Sequence, residues 1–97
     1  MKSAYFFLSR SNDSSKDRVS LKEGKSWMIG VKDIEDAAKV ANELIEEGFG
    51  QIELCGGFKE EGCRKLIELT GNRICFNYAV HLPEQEDLYQ ALFPSKK

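Results

Sequence analysis

Hydrophobic positions recur along this chain with two periods, and the switches between them divide it into strands and helices. Ala4 to Leu8 is a short aromatic, apolar run followed by polar Ser9-Arg10, the pattern of a buried strand. Arg18-Val19-Ser20-Leu21 alternates, Lys22-Glu23-Gly24-Lys25 carries a turn signal, and 26–31 is again apolar. The spacing predicts a hairpin of 18–21 with 26–31. From Ile34 the period lengthens. Ile34, Ala37, Ala38, Ala41, Leu44 and Ile45 form one helical stripe, Asp33 is its N-cap, Glu35 and Asp36 suit the positive helix start, and Gly48 ends it. Positions 51–55 read as a strand. A second helix follows from Phe58 or Lys59 to Thr70, with Cys63, Leu66, Ile67 and Thr70 facing the core and Gly71 as the stop. The last strand spans 73–80. Pro83 then opens a third helix with Leu88, Ala91 and Leu92 as its inner stripe.

This order, βββαβαβα, predicts a single α/β domain over 1–97. It has a mixed sheet of four or five strands, three helices mainly on one face and a partly barrel-like local architecture. A flexible polar loop covers 10–17 and a frayed tail covers 94–97. The direction of the first strand stays open. Side chains alternate across a strand. Ile52 and Leu54 therefore share one face, and Glu53 and Cys55 the other. Ile74, Phe76, Tyr78 and Val80 likewise oppose Cys75, Asn77, Ala79 and His81. Strands buried on both faces would be continuously apolar, and these are not. The helices are expected to cover one face, leaving the other to a second subunit, the hairpin or a ligand; a two-layer sandwich with one solvated face is the plain alternative.

Composition narrows the functional classes. The net charge is −2 with both signs interspersed, and Lys96-Lys97 is the nearest thing to a basic tail, so nucleic acid and membrane surfaces are not expected partners. The first apolar run is too short for a signal peptide, and nothing approaches the roughly 18–20 apolar residues of a membrane span. Cys55, Cys63 and Cys75 are odd in number without paired spacing. They read as free thiols in a reducing, cytoplasmic compartment. One His and no C-x-x-C give no metal site, and no cofactor motif is present. A chain of this size gains from covering apolar surface with a second copy, so a homodimer is expected.

The candidate chemistry gathers at two strand ends. Cys55 and His81 each close a strand before a helix, and neighbouring strands lie roughly 5 Å apart. A Cys–His pair oriented by Glu53 or Glu84 would be capable of nucleophilic or proton-transfer work. The bland reading makes Cys55 a small half-buried residue and His81 a helix cap. Gly56 and Gly57 allow a tight turn and close approach of a ligand to the main chain, and Lys59 adds charge beside the exposed amides. This is neither a dinucleotide fingerprint nor a P-loop. The ligand set is Gly56, Gly57, Phe58, Asn77, Glu84 and Arg10, with Arg10 and Arg18 flanking the loop that roofs the pocket; the catalytic set is Cys55, His81 and Glu53.

Ile52-Glu53-Leu54-Cys55-Gly56-Gly57-Phe58, then Gly62, Ile67 and Thr70-Gly71-Asn72, then His81-Leu82-Pro83-Glu84-Gln85, together resemble a family of short prokaryotic proteins of unknown function. The resemblance runs from about Gly30 to Phe93. It implies that the Leu-Cys-Gly-Gly-Phe and His-Leu-Pro-Glu-Gln segments belong together, and it carries no activity. Cys63 departs from the small residue usual there, which points to core packing. The leading expectation is a domain that binds a small anion or carboxylate at the C-terminal ends of its strands. The alternatives are a small enzyme using Cys55 and His81 with Glu53 or Glu84, and a structural or regulatory dimer module.

Overall fold

Strand β1 (Lys2–Leu8) lies in the middle of the sheet because both of its edges are hydrogen-bonded. The computed structural model describes residues 1–93, and the tail expected over 94–97 lies outside them. The remaining elements are β2 (Arg18–Leu21), β3 (Ser26–Val31), α1 (Ile34–Glu46), β4 (Phe49–Leu54), α2 (Lys59–Leu69), β5 (Cys75–Tyr78) and α3 (Glu86–Leu92). The sheet order is β2-β3-β1-β4-β5. β1 runs parallel to β3 and β4, β5 runs parallel to β4, and only β2 is antiparallel. The open direction of the first strand is thereby settled. The sheet is mixed, open and unclosed, as the α/β reading requires.

Register aligns the core in rows. Trp27, Ala4, Ile52 and Phe76 stand side by side across four strands, as do Ile29, Phe6, Leu54 and Tyr78. Phe6, Ile29, Ile52 and Leu54 are fully buried beneath Ala37, Ala41 and Leu44 of α1 and Cys63 and Leu66 of α2. Asp33 caps α1 by accepting the Asp36 N–H at 2.8 Å. Gly48 follows with φ +88 and nothing near its missing Cβ, the left-handed stop that glycine supplies most cheaply. Burial raises the Cys63 thiol above its ordinary pKa and keeps it a packing group.

Among the described residues, neither α1 nor α2 packs on the opposite face. Its rows are Leu21, Ser26, Ser3, Gln51 and Cys75, then Val19, Met28, Tyr5, Glu53 and Asn77, with Phe7 beside Gly30 at the upper corner. The loop over 9–17 crosses the ends of β1 and β3 and reaches α1. Asn12 Nδ2 donates to the Phe7 and Val31 carbonyls at 3.1 Å each, and Ser14 Oγ donates to Asp36 Oδ1 at 2.9 Å.

Two expectations are corrected. β5 is shorter than 73–80, because its partner β4 ends at Leu54, and Val80 stands in solvent. The stripe of Leu88 and Leu92 does not face inward: they are 63% and 75% exposed, and α3 touches the body through Tyr89 instead. Periodicity defines a shared face and is silent on whether anything covers it.

Gly30 gives the fold a checkable constraint. A Cβ there would stand 2.7 Å from Asn12 Cγ and 2.8 Å from Phe7 Cζ, and the Asn12 amide is held by two hydrogen bonds. Gly30→Ala is expected to destabilise the domain by about 1–3 kcal/mol in urea unfolding, with a larger cost than the same change at Gly57, where the nearest atom is 3.6 Å away.

Candidate functional site

Parallel neighbours end at the same edge of a sheet, so the C-termini of β1, β4 and β5 converge. Cys55 leaves β4 there. Its N–H donates to the Phe6 carbonyl at 3.0 Å, and its Sγ accepts the Leu8 N–H at 3.3 Å. The turn Gly56–Phe58 follows, and Phe58 is buried in the core. A Cβ on Gly56 would lie 3.4 Å from Tyr89 Oη and 3.5 Å from the Ala79 carbonyl, which places α3 and the 79–81 segment directly over the turn.

α2 starts on a strained residue. Lys59 has φ 60 and ψ 177, a region open essentially to glycine. Among the described residues its ammonium has no ion-pair or hydrogen-bond partner. The adjacent Glu60 is occupied by Arg64 at 2.6 Å and does not neutralise it.

The roof comes from the chain after β5. His81 stacks on Tyr89 with ring centroids 4.1 Å apart and planes 16° from parallel, and Tyr89 meets Phe93 at 5.0 Å. His81 Nε2 bonds Glu86 Oε1 at 2.5 Å, and Gln90 Nε2 donates to Glu86 Oε2 at 2.8 Å. These bonds hold the Glu86 carboxyl below its ordinary range, the His81 contact contributing most. Between floor and roof lies a cleft of about 660 Å³, within the size range of small-molecule sites. Tyr5, Tyr78, Tyr89 and Phe93 give it aromatic walls, and Cys55, Lys59, His81 and Gln90 give it polar groups. Burial, then Cys55 and Glu53, push the Tyr5 phenol upward, so it stays protonated and able to donate.

Five of the residues singled out in the sequence line this cleft: Cys55, Gly56, Gly57, Lys59 and His81. The others lie elsewhere. Glu53 and Asn77 are on the uncovered sheet face, where Asn77 Oδ1 accepts from Gln51 Nε2 at 3.1 Å. Phe58 is core. Arg10 is exposed in the turn after β1, and Glu84 is exposed in the turn before α3; neither lines the cleft. The loop over 9–17 is not the roof; α3 is. The partner of His81 is Glu86, five residues on, rather than Glu53 or Glu84. No spacing in the sequence joins Tyr5, Tyr78 and Tyr89, because they come from β1, β5 and α3 and only the strand order unites them. Cys55 and His81 share the cleft, but among the described hydrogen bonds none joins them.

The fold and site define an open α/β sheet with one helical layer and a roofed cleft at its parallel strand ends. The chain belongs to a family of unknown function (DUF6506), whose model matches residues 1–94. No curated protein and no solved structure matches it. No helix among the described residues is long and apolar enough to cross a membrane.

Glu86 gives the roof a pH dependence with a definite sign. Its carboxyl is depressed in the folded state, so the unfolded chain takes up the proton more readily. The latch therefore contributes fully above the unfolded carboxyl range and is lost as pH falls through the depressed folded value. In an acid titration followed by Tyr89 proton resonances, the Tyr89–His81 ring contact is expected to loosen below about pH 4. In Glu86→Gln the contact should be loose already at neutral pH and lack that transition.

Proposed function

We propose that the chain is a cytoplasmic small-molecule-binding domain, assembled as a homodimer, that holds a small anion or carboxylate in the cleft beneath α3. The observation that carries this reading is Lys59: a cation without a partner among the described residues, at the start of α2, kept in a backbone conformation that costs about 1–3 kcal/mol, beside an aromatic-walled cleft. Strain of this kind persists where surrounding structure imposes it, and it clusters at binding sites. The ammonium would meet the ligand's negative end, the bare Gly56–Gly57 backbone would allow close approach, and the rings would cover an apolar body. The three unpaired thiols favour a reducing compartment.

Lys59→Gly separates strain from binding. Without ligand, the variant should melt higher than wild type by about 4 °C or more, since relief of about 1 kcal/mol moves a domain of this size that far. With millimolar phosphate, acetate or benzoate, wild type should gain stability, by about 2.7 kcal/mol at a hundred times the Kd, and the variant should gain much less. Equal gains in both proteins would remove Lys59 from the site, and no gain in wild type from any of the three would end the anion reading.

A catalytic reading is favoured by one observation, the orientation of His81 by Glu86 in the cleft that also holds Cys55. It requires a thiol more reactive than its exposure warrants. Cys55 is half-buried and Cys75 exposed. Mass-mapped alkylation at pH 7 should label Cys55 faster than Cys75 if Cys55 is activated; the binding reading expects the exposed thiol to react first.

A further inference from the structure

The roof of the cleft is braced against itself more than against the domain. His81 stacks on Tyr89, Tyr89 meets Phe93, and Glu86 bonds both His81 Nε2 and Gln90 Nε2. The Gln85 N–H donates to the Leu82 carbonyl and the Phe93 N–H to the Tyr89 carbonyl. Each of these contacts begins and ends within 81–93. The last main-chain bond described between this part of the chain and the sheet is Ala79 N–H to the Leu54 carbonyl at 2.9 Å. There β4 ends, and 79–82 is neither helix nor strand. Among the described residues of 80–93, Tyr89 alone is not exposed. A helix of seven residues is marginal in water by itself, so the ring stack and the Glu86 bonds supply the restraint that α3 lacks.

We infer that 81–93 is a lid, a unit that swings about Ala79–Val80 and closes on a ring-bearing carboxylate in the cleft. This deepens the binding reading above and rests on it, because closure requires a ligand to close on. Three observations carry it. The first is the joint: a self-braced unit joined to the sheet by an unpaired stretch of chain. The second is fit. A ring the size of benzene fills a cavity of roughly 150 Å³, whereas the cleft is about 660 Å³. With the roof where it stands, an aromatic carboxylate would leave most of that space to water. The third is that the roof's own wall is wet. Val80 and Phe93 line the cleft yet are 78% and 61% exposed. The gap has a definite side. Tyr89 Oη stands over Gly56, but the three atoms nearest a Cβ on Gly57 belong to Cys55 and Leu8, with none from 81–93. The roof touches the turn at Gly56 and stands off from it at Gly57, on the way to Lys59. A rotation that lowers Tyr89 and Phe93 onto a bound ring buries apolar surface on both. That burial is the differential free energy by which a ligand shifts the lid toward its closed position. Segments with few buried contacts open most easily, and lids of this kind move in microseconds to milliseconds.

Relaxation dispersion of the ¹⁵N-labelled chain, free and with benzoate, tests the lid. In the free protein the amides of 81–92 should share one exchange process that β1 and β4 lack. NOEs between the His81 and Tyr89 rings should persist, as in a unit that moves without coming apart. Saturating benzoate should suppress the exchange severalfold and give NOEs from its ring to Phe93. Phe93→Ala, altered at an exposed position, should fold normally and keep part of the exchange when benzoate is bound. A free protein in which 81–92 is as quiet as β1 would overturn the lid. So would exchange that differs from residue to residue with loss of the ring NOEs, which marks fraying. Benzoate that shifts Gly56, Gly57 and the first turn of α2 but leaves the 81–92 exchange unchanged would overturn the lid and keep the binding reading. Binding of acetate or phosphate without benzoate would do the same. If none of the three shifts the cleft amides, the binding reading ends and the lid falls with it.

Discussion

Strand β1 is the element without which nothing else is positioned. Its main chain pairs with β3 on one side and β4 on the other, both parallel. Its Phe6 is fully buried in the row that joins Ile29 to Leu54. It also reaches the site: the Phe6 carbonyl accepts the Cys55 N–H, and the Leu8 N–H donates to Cys55 Sγ. A parallel sheet stacks its carboxyl ends along one edge, and functional clefts in open α/β sheets form outside that edge. The Cys55 turn, the strained start of α2 and the 79–81 segment share a cleft for this reason.

Much of this was legible in the residues. The hairpin strands 18–21 and 26–31 have the bounds that alternation and the Lys22–Lys25 turn signal indicate, because edge hairpins are locally encoded. α1 was legible because its cap, stripe and glycine stop agree with one another. The one-sided covering of the sheet could be read from the contrast between Ile52-Leu54 and Glu53 along β4. What alternation does not contain is coverage. Leu88 and Leu92 form as good a stripe as Ala41 and Leu44, yet α3 is short, and its one inward group, Tyr89, is held by a ring stack on His81. Glu86 as the partner of His81, and Lys59 as a strained cation, depend on backbone angles that no spacing reveals.

The two unusual regions share a physical theme, since both leave apolar surface unmatched within the single chain. The cleft has aromatic walls beside an unpaired cation, which suits a ligand with an apolar body and a negative end. The uncovered sheet face carries Glu53 as its one charge among the described strand residues. Tyr5 borders both, lying between Met28 and Glu53 in register and lining the cleft as well as the hollow.

The proposed ligand site is the strand-end cleft organised around the Cys55–Lys59 turn. Its most direct test is a titration of the ¹⁵N-labelled chain with benzoate, followed amide by amide. The expected result is saturable shifts concentrated at Gly56, Gly57 and the first turn of α2, with smaller changes at His81 and Tyr89. Shifts confined to other surfaces, or none at millimolar benzoate, acetate and phosphate alike, would contradict it.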